Sequence, residues 1–120
     1  MLSNTLCIIE KVLKQLNSDL DAIPIVDFFR NYRKGMWIYP GVLKRKFSFN
    51  MNQVYELLSS LEKEGILQSY YELYCGHCKK SMGTVELFNQ LPDYFECEIC
   101  VEELPALENS VIIYKVVRDD

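Results

Sequence analysis

The sequence predicts an α+β protein, helical in its N-terminal part and antiparallel β in its C-terminal part. Three observations carry this. Up to Gly65, apolar residues recur at three- and four-residue steps, the period of amphipathic helices. Beyond it, tyrosine-rich and β-branched runs take over, ending in Val111-Ile112-Ile113-Tyr114-Lys115-Val116-Val117. Within that β part stand two C-x2-C steps, Cys75-Gly76-His77-Cys78 and Cys97-Glu98-Ile99-Cys100, with 18 residues between Cys78 and Cys97. At 120 residues and 49% apolar, the chain can bury a core as one domain or as two small ones. The division is expected at residue 74, giving a helical domain over 1–74 and a β domain over 75–120.

The elements follow in order. Leu6, Ile9, Leu13 and Leu16 form one helical stripe, widened by Ile8 and Val12. Ser3 or Asn4 is the expected cap, and Asn17-Ser18-Asp19 ends the helix. Cys7 lies in this apolar pattern and reads as a small buried hydrophobe. A second helix is expected from Ile23 or Pro24 to Lys34, since proline is tolerated in a first turn, with Gly35 as its left-handed stop. Met36-Trp37-Ile38-Tyr39 is a short extended run. Pro40 opens a third helix through Phe47, with Val42, Leu43 and Phe47 facing inward. Ser48-Phe49-Asn50 is a turn, and Asn50 with Gln53 forms a capping box for a fourth helix. That helix buries Val54, Leu57, Leu58 and Leu61 and stops at Gly65. Gln68 to Tyr74 is an extended stretch leading into the first cysteine pair. Lys79-Lys80-Ser81-Met82-Gly83 reads as a turn, Thr84 to Phe88 as a strand, Tyr94-Phe95-Glu96 as the entry to the second pair, and Pro105 to Asn109 as a loop.

The cysteine spacing points to a metal. Two residues between cysteines make a tight knuckle that aims both sulfurs at one point. Two facing knuckles supply the four tetrahedral sulfurs that Zn²⁺ accepts. Cys75, Cys78, Cys97 and Cys100 are therefore expected to hold one structural Zn²⁺, with no open position for water or substrate. Two other chemistries use the same residue type. A redox dithiol needs a helix N-terminus after the first cysteine, and no apolar helical stretch follows Cys78. Disulfides need an oxidising compartment, to which nothing in the sequence points. His77, the only histidine, reads as a solvent-facing knuckle residue.

Charge is unevenly placed. The net charge is −4, but residues 28–55 hold Arg30, Arg33, Lys34, Lys44, Arg45 and Lys46 and no acid. Residues 75–120 hold four Lys/Arg against nine Asp/Glu. An anionic partner responds to the local island more than to the average. Glu10, Lys11 and Lys14 interrupt the first apolar stretch, so it is neither a signal peptide nor a membrane span. Free thiols without an export signal lead us to expect a reducing, cytoplasmic setting (nuclear in a eukaryote), with no membrane partner.

Residues 36–74 resemble a winged-helix domain: a short strand (Trp37-Ile38-Tyr39), a helix (Gly41 to Phe47), a turn, a longer helix, then a wing. The phrase Leu61-Glu62-Lys63-Glu64-Gly65-Ile66-Leu67 carries much of the likeness. Residues 75–100 resemble a zinc ribbon. A winged helix followed by a zinc ribbon is similar in layout to the archaeal transcription factor E and eukaryotic general transcription factor alpha-subunit families. The resemblance implies a DNA-binding or transcription-linked regulator. The start of its recognition helix would enter the major groove with Asn50, Asn52, Gln53 and Tyr55, while Lys44, Arg45 and Lys46 hold phosphates. Against this, Glu56, Glu62 and Glu64 would repel phosphate, and Asn50 has its capping role.

A second class of function is a protein–protein adaptor within a larger complex, such as a polymerase assembly or a bacterial defence system. Tyr70 and Tyr71 suit such an interface, because tyrosine is enriched there, and the acidic ribbon would dock a basic partner. An enzyme is not expected. The sequence has one histidine, no glycine-rich phosphate loop and no visible nucleophile–base pair, and a small-molecule substrate is accordingly not expected.

Overall fold

The computed structural model describes residues 1–86 and 91–120. Four helices are present among them: α1 (Ser3–Leu16), α2 (Ile23–Arg30), α3 (Pro40–Phe47) and α4 (Met51–Lys63). The strands are β1 (Trp37–Ile38), β2 (Leu67–Cys75), β3 (Lys80–Glu86), β4 (Tyr94–Glu96), β5 (Glu103–Pro105) and β6 (Ser110–Val116). One sheet has the order β1-β6-β2-β3, and a second pairs β4 with β5. β1 with β6, β2 with β3 and β4 with β5 pair antiparallel. The α+β class is as expected. No helix among the described residues is long and apolar enough to cross a membrane.

The chain forms two compact units, Met1–Gln68 with Tyr114–Asp120, and Ser69–Ile113. This grouping differs from a division at residue 74. The second unit begins inside β2, and the last residues of β6 return to the first.

In the first unit α1 packs against α2 and α4, and α3 packs against α4. Its core includes Ile9, Leu13, Phe29, Ile38, Leu43, Leu58, Leu61 and Ile66, all nearly or fully buried. Local chemistry sets α4 at both ends. Asn50 Oδ1 accepts from the Gln53 N–H at 2.8 Å, and Gln53 Oε1 accepts from the Asn50 N–H at 3.0 Å. This capping box satisfies two orphan donors, and such a cap is worth about 1 kcal/mol. Val54, Leu57, Leu58 and Leu61 form the buried face. At the C-terminus Gly65 takes φ +77°, its N–H donates to Glu62 O at 3.0 Å, and the Ile66 N–H donates to Leu61 O at 3.1 Å. That paired closure needs a left-handed residue, which glycine supplies without steric cost. Pro40 starts α3 as expected, and left-handed Ser48 (φ 56°) ends it.

Several expectations are corrected. Leu2, not Ser3 or Asn4, precedes α1, and its side chain makes no cap. Cys7 is exposed, because the stripe that faces the core runs through Leu6, Ile9 and Leu13. α2 ends at Arg30 rather than Lys34, so Gly35, although left-handed at φ +95°, turns a loop rather than stopping a helix. The Met1 ammonium donates to the carbonyls of Arg30 and Tyr32 at 2.8 and 2.6 Å, taking up the α2 end from outside the helix.

In the second unit β3 begins at Lys80, where a turn was expected. Its register against β2 slips between Glu72↔Thr84 and Tyr74↔Ser81, so that Met82 and Gly83 together face Leu73. Gly83, at φ +102°, marks that bulge rather than a chain reversal. Glu103–Pro105 is a strand, paired as Tyr94↔Pro105 and Glu96↔Glu103, so the loop expected from Pro105 begins one residue later. Leu87 and Phe88, expected to continue β3, lie outside the described residues.

Candidate metal centre

The second unit has a small apolar core. Leu73, Ala106 and Ile113 are its buried apolar residues besides the sulfurs of Cys75 and Cys97, among the described residues. What occupies its centre is the four-cysteine group. The Sγ atoms of Cys75, Cys78, Cys97 and Cys100 all lie within 4.8 Å of one another. Cys75 Sγ stands 3.9 Å from Cys100 Sγ, and Cys97 Sγ stands 3.8 Å from Cys78 Sγ. Four sulfurs about 2.3 Å from one tetrahedral ion would be about 3.8 Å apart, so the donor set fits a metal. All four cysteines are free rather than disulfide-linked.

The two knuckles repeat one local geometry. The Cys78 N–H donates to Cys75 Sγ at 3.4 Å, and the Cys100 N–H donates to Cys97 Sγ at 3.5 Å. One residue on, the Lys79 N–H donates to Cys75 O at 2.6 Å, and the Val101 N–H donates to Cys97 O at 2.9 Å. Lys79 (φ 54°) and Val101 (φ 57°) are both left-handed. Each knuckle is therefore a tight turn closed by a left-handed residue, with a backbone dipole aimed at the first sulfur. The C-x2-C spacing marks the cysteines but not these closing residues. Their only signal is position, immediately after the second cysteine of each pair.

The thiols perturb one another. Burial, then hydrogen bonding with the other three cysteines, pushes Cys78 up to about 12. The Cys100 backbone N–H is the main influence that brings Cys97 down to about 7. At Cys100 the Glu102 backbone hydrogen bond lowers the thiol, but burial and Cys97 outweigh it and the net shift is upward. A metal held by four thiolates must therefore displace protons, those of Cys78 and Cys100 included. Protons compete with the ion, so affinity rises with pH and falls on acidification. Two displaced protons alone make that fall about 100-fold per pH unit below neutrality. Titrating metal release with a chromophoric indicator between pH 7 and 5 checks the slope.

The other residues singled out in the sequence lie elsewhere. Lys44, Arg45 and Lys46 are exposed in the last turn of α3, and Lys46 Nζ sits 5.2 Å from the centre of the Phe28 ring. Cations at a helix C-terminus are also favoured by the helix dipole. Asn52 is exposed and Tyr55 half-buried on α4, while the side-chain oxygens of Asn50 and Gln53 are engaged in the capping box. Tyr70 and Tyr71 are half-buried in β2, opposite Glu86 and Val85, and β2 is flanked by β6 and β3. No family model, curated protein or solved structure matches the chain.

Proposed function

We propose that the chain is a non-enzymatic winged-helix module with a zinc ribbon, which contacts duplex DNA in a transcription-linked role inside a reducing compartment. The observation that carries this reading is the exposed run Lys44-Arg45-Lys46, at the end of α3 and just before the capped start of α4. The element order β1, α3, turn, α4, β2 supports a winged helix, with left-handed Ser48 in the turn. On this reading α4 presents Asn52 to the major groove and the three cations hold phosphates. Because Asn50 and Gln53 already serve the cap, base reading through them would be limited, and phosphate contact would supply most of the affinity. The four thiolates would hold Zn²⁺, since a soft all-sulfur tetrahedral donor set suits that ion. When bound, the ion supplies a cross-link between the knuckles and no reaction.

A gel shift with duplex DNA tests the reading. If all six cations of residues 28–55 meet phosphates, log affinity falls against log salt with a slope of roughly −5. Changing Lys44, Arg45 and Lys46 together to Glu should abolish the shift at moderate salt and flatten what remains at low salt. Absence of any shift by the wild-type chain at low salt would sink the DNA reading and leave a protein adaptor in its place.

A further inference from the structure

The unit Ser69–Ile113 exposes apolar side chains beside acidic ones along one groove. β4, β5 and the second knuckle form an open groove lined by Tyr94, Phe95, Glu96, Val101 and Glu103. Tyr94 is 58% exposed, Val101 69%, and Ile99 in the same knuckle 58%. The knuckle turn does not require apolar residues there. The equivalent positions of the first knuckle are His77 and Lys79, both polar. Val101 in particular stands at φ 57°, a conformation that branching at Cβ disfavours. Local sterics would place glycine or asparagine at that position, so the valine side chain is there for something other than the turn.

The acidic residues of the groove are also arranged at a cost to the isolated unit. Glu96 and Glu103 are direct cross-strand partners, and like charges in that position weaken a pair of strands. Neither takes part in any ion pair among the described residues. Residues 91–110 hold six Asp/Glu and no Lys or Arg, so no neighbour in sequence offsets them. A cationic group seated between the two glutamates would relieve the repulsion, and flanking aliphatic groups would cover the exposed apolar side chains. We infer that this groove docks a protein segment bearing Lys or Arg together with aliphatic side chains. Nucleic acid is repelled by the same charges, and a purely apolar segment would bury the carboxylates unpaired. The inference concerns the second unit and stands or falls independently of DNA contact by α3 and α4.

The test uses the full chain loaded with one equivalent of zinc and three fluorescent 12-residue peptides. One alternates Lys with Leu, one Lys with Ser, and one Glu with Leu. In anisotropy titrations the Lys/Leu peptide should bind at least tenfold more tightly than either other peptide and weaken as salt is raised. Ile99→Ser with Tyr94→Ser should weaken it about tenfold, and Glu96→Lys with Glu103→Lys should transfer preference to the Glu/Leu peptide. Retained zinc stoichiometry in each variant shows that the clamp has survived substitution. Equal binding of Lys/Ser and Lys/Leu would overturn the proposal, as would double variants that leave Lys/Leu affinity within twofold. Salt-sensitive self-association lost in the same variants would overturn it too, by making a second copy of this chain the occupant.

Discussion

Changing Cys97 to serine should abolish metal binding and unfold Ser69–Ile113, while the helices of the first unit persist. Cys97 is fully buried at the centre of a unit whose other buried apolar residues are few. Units of this size seldom fold on a hydrophobic core alone, and a structural metal held by the four cysteines would supply the missing free energy. In zinc-finger peptides that contribution is about 10–16 kcal/mol at neutral pH, far beyond what Leu73, Ala106 and Ile113 can replace. Serine would also leave a hydroxyl in place of a thiolate at a position without solvent. Amide hydrogen exchange should show lost protection from Tyr70 to Cys75 and from Lys80 to Glu86, with α4 amides still protected. A strong chelator should reproduce the pattern in the wild-type chain. Unchanged protection in a metal-free sample would show that the unit does not depend on an ion.

The second large effect is expected at Phe29. Its side chain is fully buried in the first unit, with its ring centre 5.2 Å from that of Phe28 and 6.2 Å from that of Tyr32. Phe29→Ala removes a whole ring from a packed core and should cost about 3–5 kcal/mol, a large share of the stability of a small domain. Phe28→Ala should cost less, because Phe28 is only half-buried. Denaturant melts followed by helical circular dichroism measure both. A loss below about 1 kcal/mol for Phe29 would mean that the core does not close around this ring.

The parts of the fold that could be read directly are those set by neighbours in sequence. α4 is one: a cap three residues from its partner, a buried stripe at helical spacing and a glycine at the point of closure are all local. α3 is another, opened by Pro40. Each cysteine knuckle was legible for the same reason, being a four-residue step, and the meeting of the two was the one distant feature within reach, because a tetrahedral ion takes four such sulfurs. Other features set at a distance were not. The carbonyl of Arg30, at the early end of α2, is taken by the Met1 ammonium from 29 residues away. β5 is acidic and ends in proline, so nothing in its composition marks a strand; its pairing with β4 follows from the knuckle between them. The start of β3 depended on which residue reverses the chain. Gly83 was the natural choice by type, yet Lys79 does so, held by the Cys75 carbonyl. Base-contact candidates are a different matter: the same Asn50 and Gln53 that suggested DNA also suggested a cap, and only their side-chain geometry assigns the hydrogen bonds.

The pairing of β6 with β1 has a bearing on how the molecule comes into being. Trp37 lies across from Lys115 and Ile38 across from Tyr114, and the Val117 N–H donates to Ile66 O at 2.8 Å. During synthesis the helices therefore emerge long before the strand that completes their sheet, with an unsatisfied edge waiting through the whole four-cysteine segment. Closing so distant a contact is slow compared with helix formation. A nascent chain stalled before residue 110 should accordingly be prone to aggregation and chaperone capture, however good its helices are.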